Sequence, residues 1–202
     1  MYISAVIAAA GLSSRMHRFK PLLPLGTATV IQHTIDSLRA GGAGQIIVVT
    51  GFQGQLLEEH LRFSSVTLCR NAQYATTDML TSIQLGLAQL TAEAERVFIM
   101  PGDIPLVSPD TLRAMCELDA PVVRPSCHGR GGHPILLNAE AVHTVQTWKG
   151  TDGLKGLLRS GKLESKFMET EDAAVLMDAD SPQDYQKLLE YYDHWNMQRS
   201  GM

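Results

Sequence analysis

Three cations, Arg15, Arg18 and Lys20, stand within six residues of one another, just after an apolar run that ends at Ala9-Ala10-Gly11. Beside small residues such a cluster suits a polyanion such as a nucleoside triphosphate. The cations offset phosphate charge, glycine lets a ligand approach the backbone, and loop N–H groups cradle phosphate oxygens. A solvated basic loop explains the charges equally well, and neither common phosphate motif, G-x-x-x-x-G-K-[ST] or G-x-G-x-x-G, occurs. Farther along, Asp103 sits in Pro101-Gly102-Asp103-Ile104-Pro105 after the apolar run Arg96 to Met100, and Asp178 and Asp180 follow the run Ala174 to Met177. A carboxylate on a glycine-proline turn is either a turn former or a magnesium ligand, because Mg²⁺ takes one or two carboxylates and completes its shell with substrate phosphates.

These residues need a scaffold that brings strand ends together. Tyr2 to Ala9 is short, apolar and bounded by a turn, the pattern of a buried strand, and Gln45 to Thr50 repeats it. Between them Val30, Ile31, Thr34, Ile35 and Leu38 share one helical face, with Gly41-Gly42 as the stop. A short helix through Leu56, Leu57 and Leu61, a weaker strand over Ser65 to Cys69, and strands over 96–100, 120–124 and 174–177 continue the alternation. It implies βαβ units and a mostly parallel sheet with helices on both faces, whose ligand crevice lies outside the carboxyl ends of the strands.

The polar stretch Asn71 to Ser82 leads into a helix with the apolar face Leu80, Ile83, Leu87 and Leu90. A helix start favours an anion or a ribose hydroxyl, but Thr77 or Asp78 is as readily a helix cap. Ser108-Pro109-Asp110 reads as the cap and first turn of the next helix. In Gly129-Arg130-Gly131-Gly132-His133-Pro134 a histidine precedes a strand, a place where histidine is usually structural. Thr151 or Asp152 caps a further helix, and Leu188, Leu189, Tyr192 and Trp195 make the closing helix amphipathic.

At 202 residues, 45% hydrophobic and 19% charged with net charge −4, the chain is an ordinary globule of one domain. The charge disfavours nucleic acid, no apolar run has the length of a membrane span, and the first strand lacks the basic flank of a signal peptide. Cys69, Cys116 and Cys127 are odd in number and lack C-x-x-C spacing, which points away from disulfides and zinc and toward a reducing cytoplasm. Cys127, in a polar stretch, reads as a plain loop thiol.

The basic loop resembles the signature of the MobA-like nucleotidyltransferases, A-A-G-x-S-x-R-M-G-x-x-K, and most closely that of the molybdenum cofactor cytidylyltransferases. The resemblance runs through Ala9, Ala10, Gly11, Leu12, Ser13, Ser14, Arg15, Met16, Lys20, Leu23 and Pro24. One departure is His17, where the family has glycine, so the backbone there either does not need positive φ or the histidine tolerates it. G-D-x-P around Asp103, G-x-x-G-H-P-I/V-L around His133, G-D-x-G near Asp152 and D-x-D-S-P around Asp180 resemble further family motifs, in order, over nearly the whole chain.

The resemblance implies a single Rossmann-like α/β domain of the nucleotide-diphospho-sugar transferase fold over 1–202, its mostly parallel sheet carrying an antiparallel strand. Its nucleotide-binding half would be 1–110 and its acceptor half 120–197. It implies transfer of CMP from CTP to molybdenum-bound molybdopterin with release of pyrophosphate, the product passing to a molybdoenzyme. A GTP-using enzyme, another acceptor, or a non-catalytic carrier of the cofactor are the alternatives. Lys20, Arg15 and Asp103 would be catalytic. Ala9, Ala10, Gly11, Leu12, Ser13, Ser82 and Gly102 would line the nucleotide, and Arg130, Gly132, His133 and Asp152 the acceptor. Asp103 and Asp180 would hold Mg²⁺, for which Mn²⁺ can substitute, with Asp178 as second choice to Asp180. Pro21 biases Lys20 toward extended backbone, from which its ammonium can project into the crevice.

Overall fold

The computed structural model describes residues 1–13, 15–16, 18–91 and 94–200; Ser14 and His17 lie outside the described residues. Strand β1 (Ile3–Ala9) is buried on both faces, as a near-continuous apolar run should be in a parallel sheet. The chain then forms a small hairpin, β2 (Pro24–Leu25) and β3 (Ala28–Thr29), before helix α1 (Val30–Ala40). That helix stops at Gly41-Gly42, where Gly42 takes φ 104°, a conformation that side chains resist. Strand β4 (Ala43–Thr50), helix α2 (Gly54–Leu61) and the exposed edge strand β5 (Thr67–Arg70) follow.

Helix α3 (Met79–Leu87) is capped by Asp78, whose carboxylate accepts from Thr81 N at 3.0 Å. The helix ends before Leu90, three residues earlier than its apolar spacing suggested. Strand β6 (Arg96–Pro101) leads through the Asp103 turn to α4 (Pro109–Cys116), capped by Ser108 as its sequence predicts. Then come β7 (Val122–Cys127), β8 (Arg130–Gly131), β9 (Ile135–Asn138), α5 (Ala139–Thr147), α6 (Gly153–Arg159), β10 (Ser165–Glu169) and α7 (Pro182–Ser200).

The main sheet runs β10-β7-β9-β6-β1-β4-β5, with β8 pairing only to β7. It is parallel except around β9 and β8: β9 runs antiparallel to both β6 and β7, and β8 antiparallel to β7. Alternate residues divide two cores. Ile7, Val48, Phe98 and Leu136 meet α1, α2 and α4 on one face; Val6, Ile47, Ile99 and Leu137 meet α3, α5 and α6 on the other. The expected α/β fold with helices on both faces is therefore the one observed. A third cluster joins Leu188 and Tyr192 of α7 to Met16, Leu23 and Leu25, so the closing helix braces the basic loop from behind.

Three local expectations are corrected. Ala174 to Met177 is not a strand: Ala173–Leu176 forms a 3-10 turn, started by Asp172, whose side chain accepts from Ala174 N at 3.1 Å. The edge position is held instead by β10, whose register pairs Phe167 with Arg124, and Ala174 and Val175 are buried as a plug rather than as a ladder rung. Cys127 is no loop thiol but the buried last residue of β7, and burial raises its pKa. Asp152 does not cap α6 through its side chain; it is itself left-handed, φ 62°.

Candidate active site

The carboxyl ends of β1 and β6 lie side by side, with Ala8 opposite Pro101. Gly102 keeps them close: a Cβ there would stand 2.9 Å from Ala9 Cβ, nearer than packed carbons allow. The crevice that opens beyond these ends is lined by Ala9, Ala10, Gly11, Ser13, Lys20, Ser82, Gly102, Asp103 and Asp180, residues drawn from five separate stretches of sequence. Ser82 is buried, and its hydroxyl accepts from Asn71 Nδ2 at 3.0 Å. Tyr74 also lines the crevice, its ring 6.3 Å from that of Phe52. The sequence marks Tyr74 only as an aromatic side chain in a polar loop after a strand end, which does not by itself point to the crevice.

Lys20 is the centre of the charge arrangement. Its Nζ donates to Asp103 Oδ2 at 3.1 Å and to Asp180 Oδ1 in a shorter contact. Arg15 Nη1 reaches the other oxygen of Asp180 at 2.5 Å. Lys20 is not extended: it opens a 3-10 turn, Lys20–Leu22, and the extended residue is Phe19 before it. The turn is anchored by buried Phe19, Pro21 and Leu23, while Lys20 N donates to Ser13 Oγ at 3.3 Å. Burial alone would lower the Lys20 pKa, but hydrogen bonds and charge from Asp180 and Asp103 outweigh it and raise it. The ammonium therefore stays protonated. Asp178 forms no ion pair among the described residues. Its Oδ1 accepts from Asp180 N at 3.2 Å, and its pKa is raised, first by burial and then by Asp103 and Asp180. Ala179 N donates to Asp103 O at 3.2 Å, so the two acidic segments are tied through backbone.

Two carboxylates converging on one cation are a donor set that fits a divalent metal completed by substrate phosphate. Among the described residues no group of three or more His, Cys, Asp or Glu side chains forms a closed metal site. A cation binding here would share Asp103 and Asp180 with Lys20 or take Lys20's position.

Not every candidate residue enters the crevice. Leu12 is exposed and does not line the crevice, and the Arg15 side chain, 76% exposed, is linked to the crevice, among the described residues, through Asp180. His133 and Asp152 line a second cavity, about 700 Å³, which shares Asp78 and Met79 with the first and takes in Arg124. Arg130 is exposed on β8 and reaches neither cavity. Gly132 is a packing residue: a side chain there would run into the Val175 carbonyl.

His133 is held neutral, its pKa pushed down to about 4, first by burial and then by the Arg124 charge, against a smaller opposing pull from Asp103. The unfolded chain takes up this proton near the ordinary value of 6.5, the folded chain only near 4. Stability is therefore intact above about pH 6.5 and falls as pH drops through this window, by roughly 3 kcal/mol in all. Urea unfolding of the His133→Gln variant should show a correspondingly flatter acid limb than wild type. Equal slopes between pH 6.5 and 4 would remove His133 as the cause.

The model of the MobA-like NTP transferase domain matches residues 5–167, from β1 into β10. The molybdenum cofactor cytidylyltransferase of Escherichia coli K12 is 30% identical over 192 residues, 94% of this chain and 97% of that protein. A nucleotidyl transferase from Methanothermobacter thermautotroptrophicus superposes with a TM-score of 0.83 at 26% identity, covering 96% of this chain and 98% of that one. Rv0371c of Mycobacterium tuberculosis H37Rv, solved in complex with manganese, superposes with a TM-score of 0.77 at 26% identity over 94% and 98% of the two chains. With the crevice at its strand ends and a match over most of its length, the chain belongs to the MobA-like NTP transferase domain family and is a nucleotidyltransferase.

Proposed function

We propose that the chain transfers CMP from CTP to the terminal phosphate of molybdenum-bound molybdopterin, yielding the cytosine dinucleotide and pyrophosphate. The observation that carries this reading is the Lys20–Asp103–Asp180 cluster at the mouth of a glycine-lined crevice that abuts a second, larger cavity. The cytidylyltransferase relative, similar along its whole length, supplies the choice of nucleotide and acceptor.

A phosphate oxygen of the acceptor attacks the α-phosphorus in line; the bond to the β-phosphate breaks and pyrophosphate carries away the charge. No covalent intermediate with the protein is needed, so the work is positioning and neutralisation. The Ala9–Gly11 backbone and Gly102 line the base and ribose, with Ser13 and Ser82 as hydroxyl partners. Lys20 meets the charge that grows on the leaving pyrophosphate, and Arg15 steadies Asp180 and the outer phosphates. Asp103 and Asp180 would hold Mg²⁺ or Mn²⁺, which supplies Lewis-acid polarisation of the α-phosphate. On this reading residues 1–110 serve mainly the nucleotide and 120–197 mainly the acceptor, although Asp180 crosses from the second part to the first. His133 and Asp152 are the acceptor contacts; Arg130 and Gly132 act at most through the loop that carries His133. The finished cofactor would pass to a molybdoenzyme in the cytoplasm.

A competition experiment tests the nucleotide choice. With equal CTP and GTP, Mg²⁺ and molybdenum-loaded molybdopterin, the product is expected to be mostly the cytosine dinucleotide, because a base-edge site leaves polar groups unpaired with the wrong base. Mostly guanine dinucleotide would reassign the enzyme within its family. Binding of the finished cofactor without any pyrophosphate release would favour a carrier.

A further inference from the structure

Arg124 is a half-buried cation that the reaction above leaves unused. It lies inside β7 at the wall of the second cavity. The Phe167 ring centroid is 5.1 Å from its guanidinium carbon, and a Cβ on Gly131 would be 3.1 Å from Nη2. The group is thus packed between an aromatic ring and a glycine backbone. Among the described residues it has no ion pair and no hydrogen bond, and its buried Nε is left without a partner. His133, on the same wall, has a buried Nδ1 in the same condition. Two buried nitrogens on one cavity wall thus lack a protein partner, and a guanidinium, never deprotonated, offers N–H donors to any acceptor that enters. Lys155 and Arg159 add positive charge around the opening, against Asp78, which is engaged as a helix cap, and Asp152.

We infer that Arg124, with His133 beside it, is the oxyanion anchor of the second cavity: it binds a phosphate or metal-oxo oxygen of the acceptor and so determines acceptor selectivity. The inference rests on the acceptor reading above for the identity of the ligand but not for its charge. A guanidinium held beside an aromatic ring on the cavity wall can offer its N–H groups to such a group in charge-assisted hydrogen bonds.

Arg124→Met keeps the stem against Phe167 and removes the charge. Its expected signature is a KM for molybdenum-loaded molybdopterin raised about 10- to 100-fold, the loss of a charged hydrogen bond, with CTP affinity unchanged. Thermal stability of the ligand-free protein should be equal or higher, because an unpaired, half-buried charge has gone. Arg124→Lys should recover part of the acceptor affinity. A purely structural arginine would give the reverse, lower stability with an unmoved KM, and that result overturns the inference. A second arm is independent of the acceptor's identity: in protein saturated with CTP, inorganic phosphate should raise the unfolding temperature of wild type but not of Arg124→Met. Equal responses overturn the anchor. If molybdopterin is the wrong acceptor, this arm still separates the two proteins. Equilibrium binding of molybdopterin with and without its molybdenum identifies the anion: a loss in both forms assigns it to phosphate, and a loss confined to the loaded form assigns it to the metal's oxygen ligands.

Discussion

Asp103→Asn should abolish nucleotidyl transfer, lowering kcat by roughly 10³-fold or more, while the protein remains folded. Asparagine keeps the shape of the side chain and loses the charge that a divalent cation requires, which is worth at least about 4 kcal/mol of transition-state stabilisation. The fold survives because little of it depends on that charge. Lys20 Nζ keeps Asp180, and the bond from Ala179 N to Asp103 O involves backbone only. Loss of one partly exposed ion pair costs about 1 kcal/mol, a few degrees in unfolding temperature for a domain of this size. Pyrophosphate release and thermal unfolding measured on the same preparation decide the matter. Wild-type turnover would remove Asp103 from the reaction, and a collapsed melting transition would make it a structural residue.

Lys20→Ala should lower kcat by roughly 10²–10³-fold, or about 3–4 kcal/mol, with a much smaller loss of nucleotide affinity. The reasoning is that the ammonium is most useful once charge has moved onto the leaving pyrophosphate, so its removal weakens the transition state more than the ground state. The side chain is only 12% exposed and held by two carboxylates, which argues against a solvated lysine whose loss would be silent. Single-turnover kinetics at saturating CTP, beside an equilibrium titration of CTP, separate the two effects. A single-turnover rate within about twofold of wild type would show that Lys20 makes no transition-state contact.

The crevice at the ends of β1 and β6 was legible because its determinants are local. An apolar strand followed by Ala10-Gly11, and another followed by Gly102-Asp103, each announce a strand end in a few residues, and parallel pairing puts those ends together. The second cavity was less legible, for topological reasons. In a parallel sheet the residues that follow a strand reach the ligand edge, but β9 runs the other way, so His133, which precedes its strand, arrives at the same edge as Asp103, which follows its own. No spacing rule marks that reversal. Arg124 sits in mid-strand, where an arginine reads as an ordinary edge residue until the packing around it is known. The run Ala174 to Met177 misled in the other direction: four apolar residues look alike as a strand and as a buried turn, and the choice was made by Asp172 and by β10 taking the edge. Even Lys20 lines the crevice from a 3-10 turn rather than from extended chain.

The seating of Lys20 between Asp103 and Asp180 bears on the order of events in a catalytic cycle. In the resting protein the two carboxylates already possess a counter-ion, covalently tethered and permanently charged. A bare divalent ion therefore competes with an ammonium at very high local concentration and gains little by binding alone. On the proposed reading a triphosphate would change the balance, offering Lys20 its own oxygens and leaving the carboxylates to the ion it brings; metal and nucleotide would then each raise the affinity for the other by the same factor, as linkage demands. Between turnovers Lys20 would again stand between the aspartates, as it does in the resting protein, so the crevice would never hold an uncompensated pair of carboxylates.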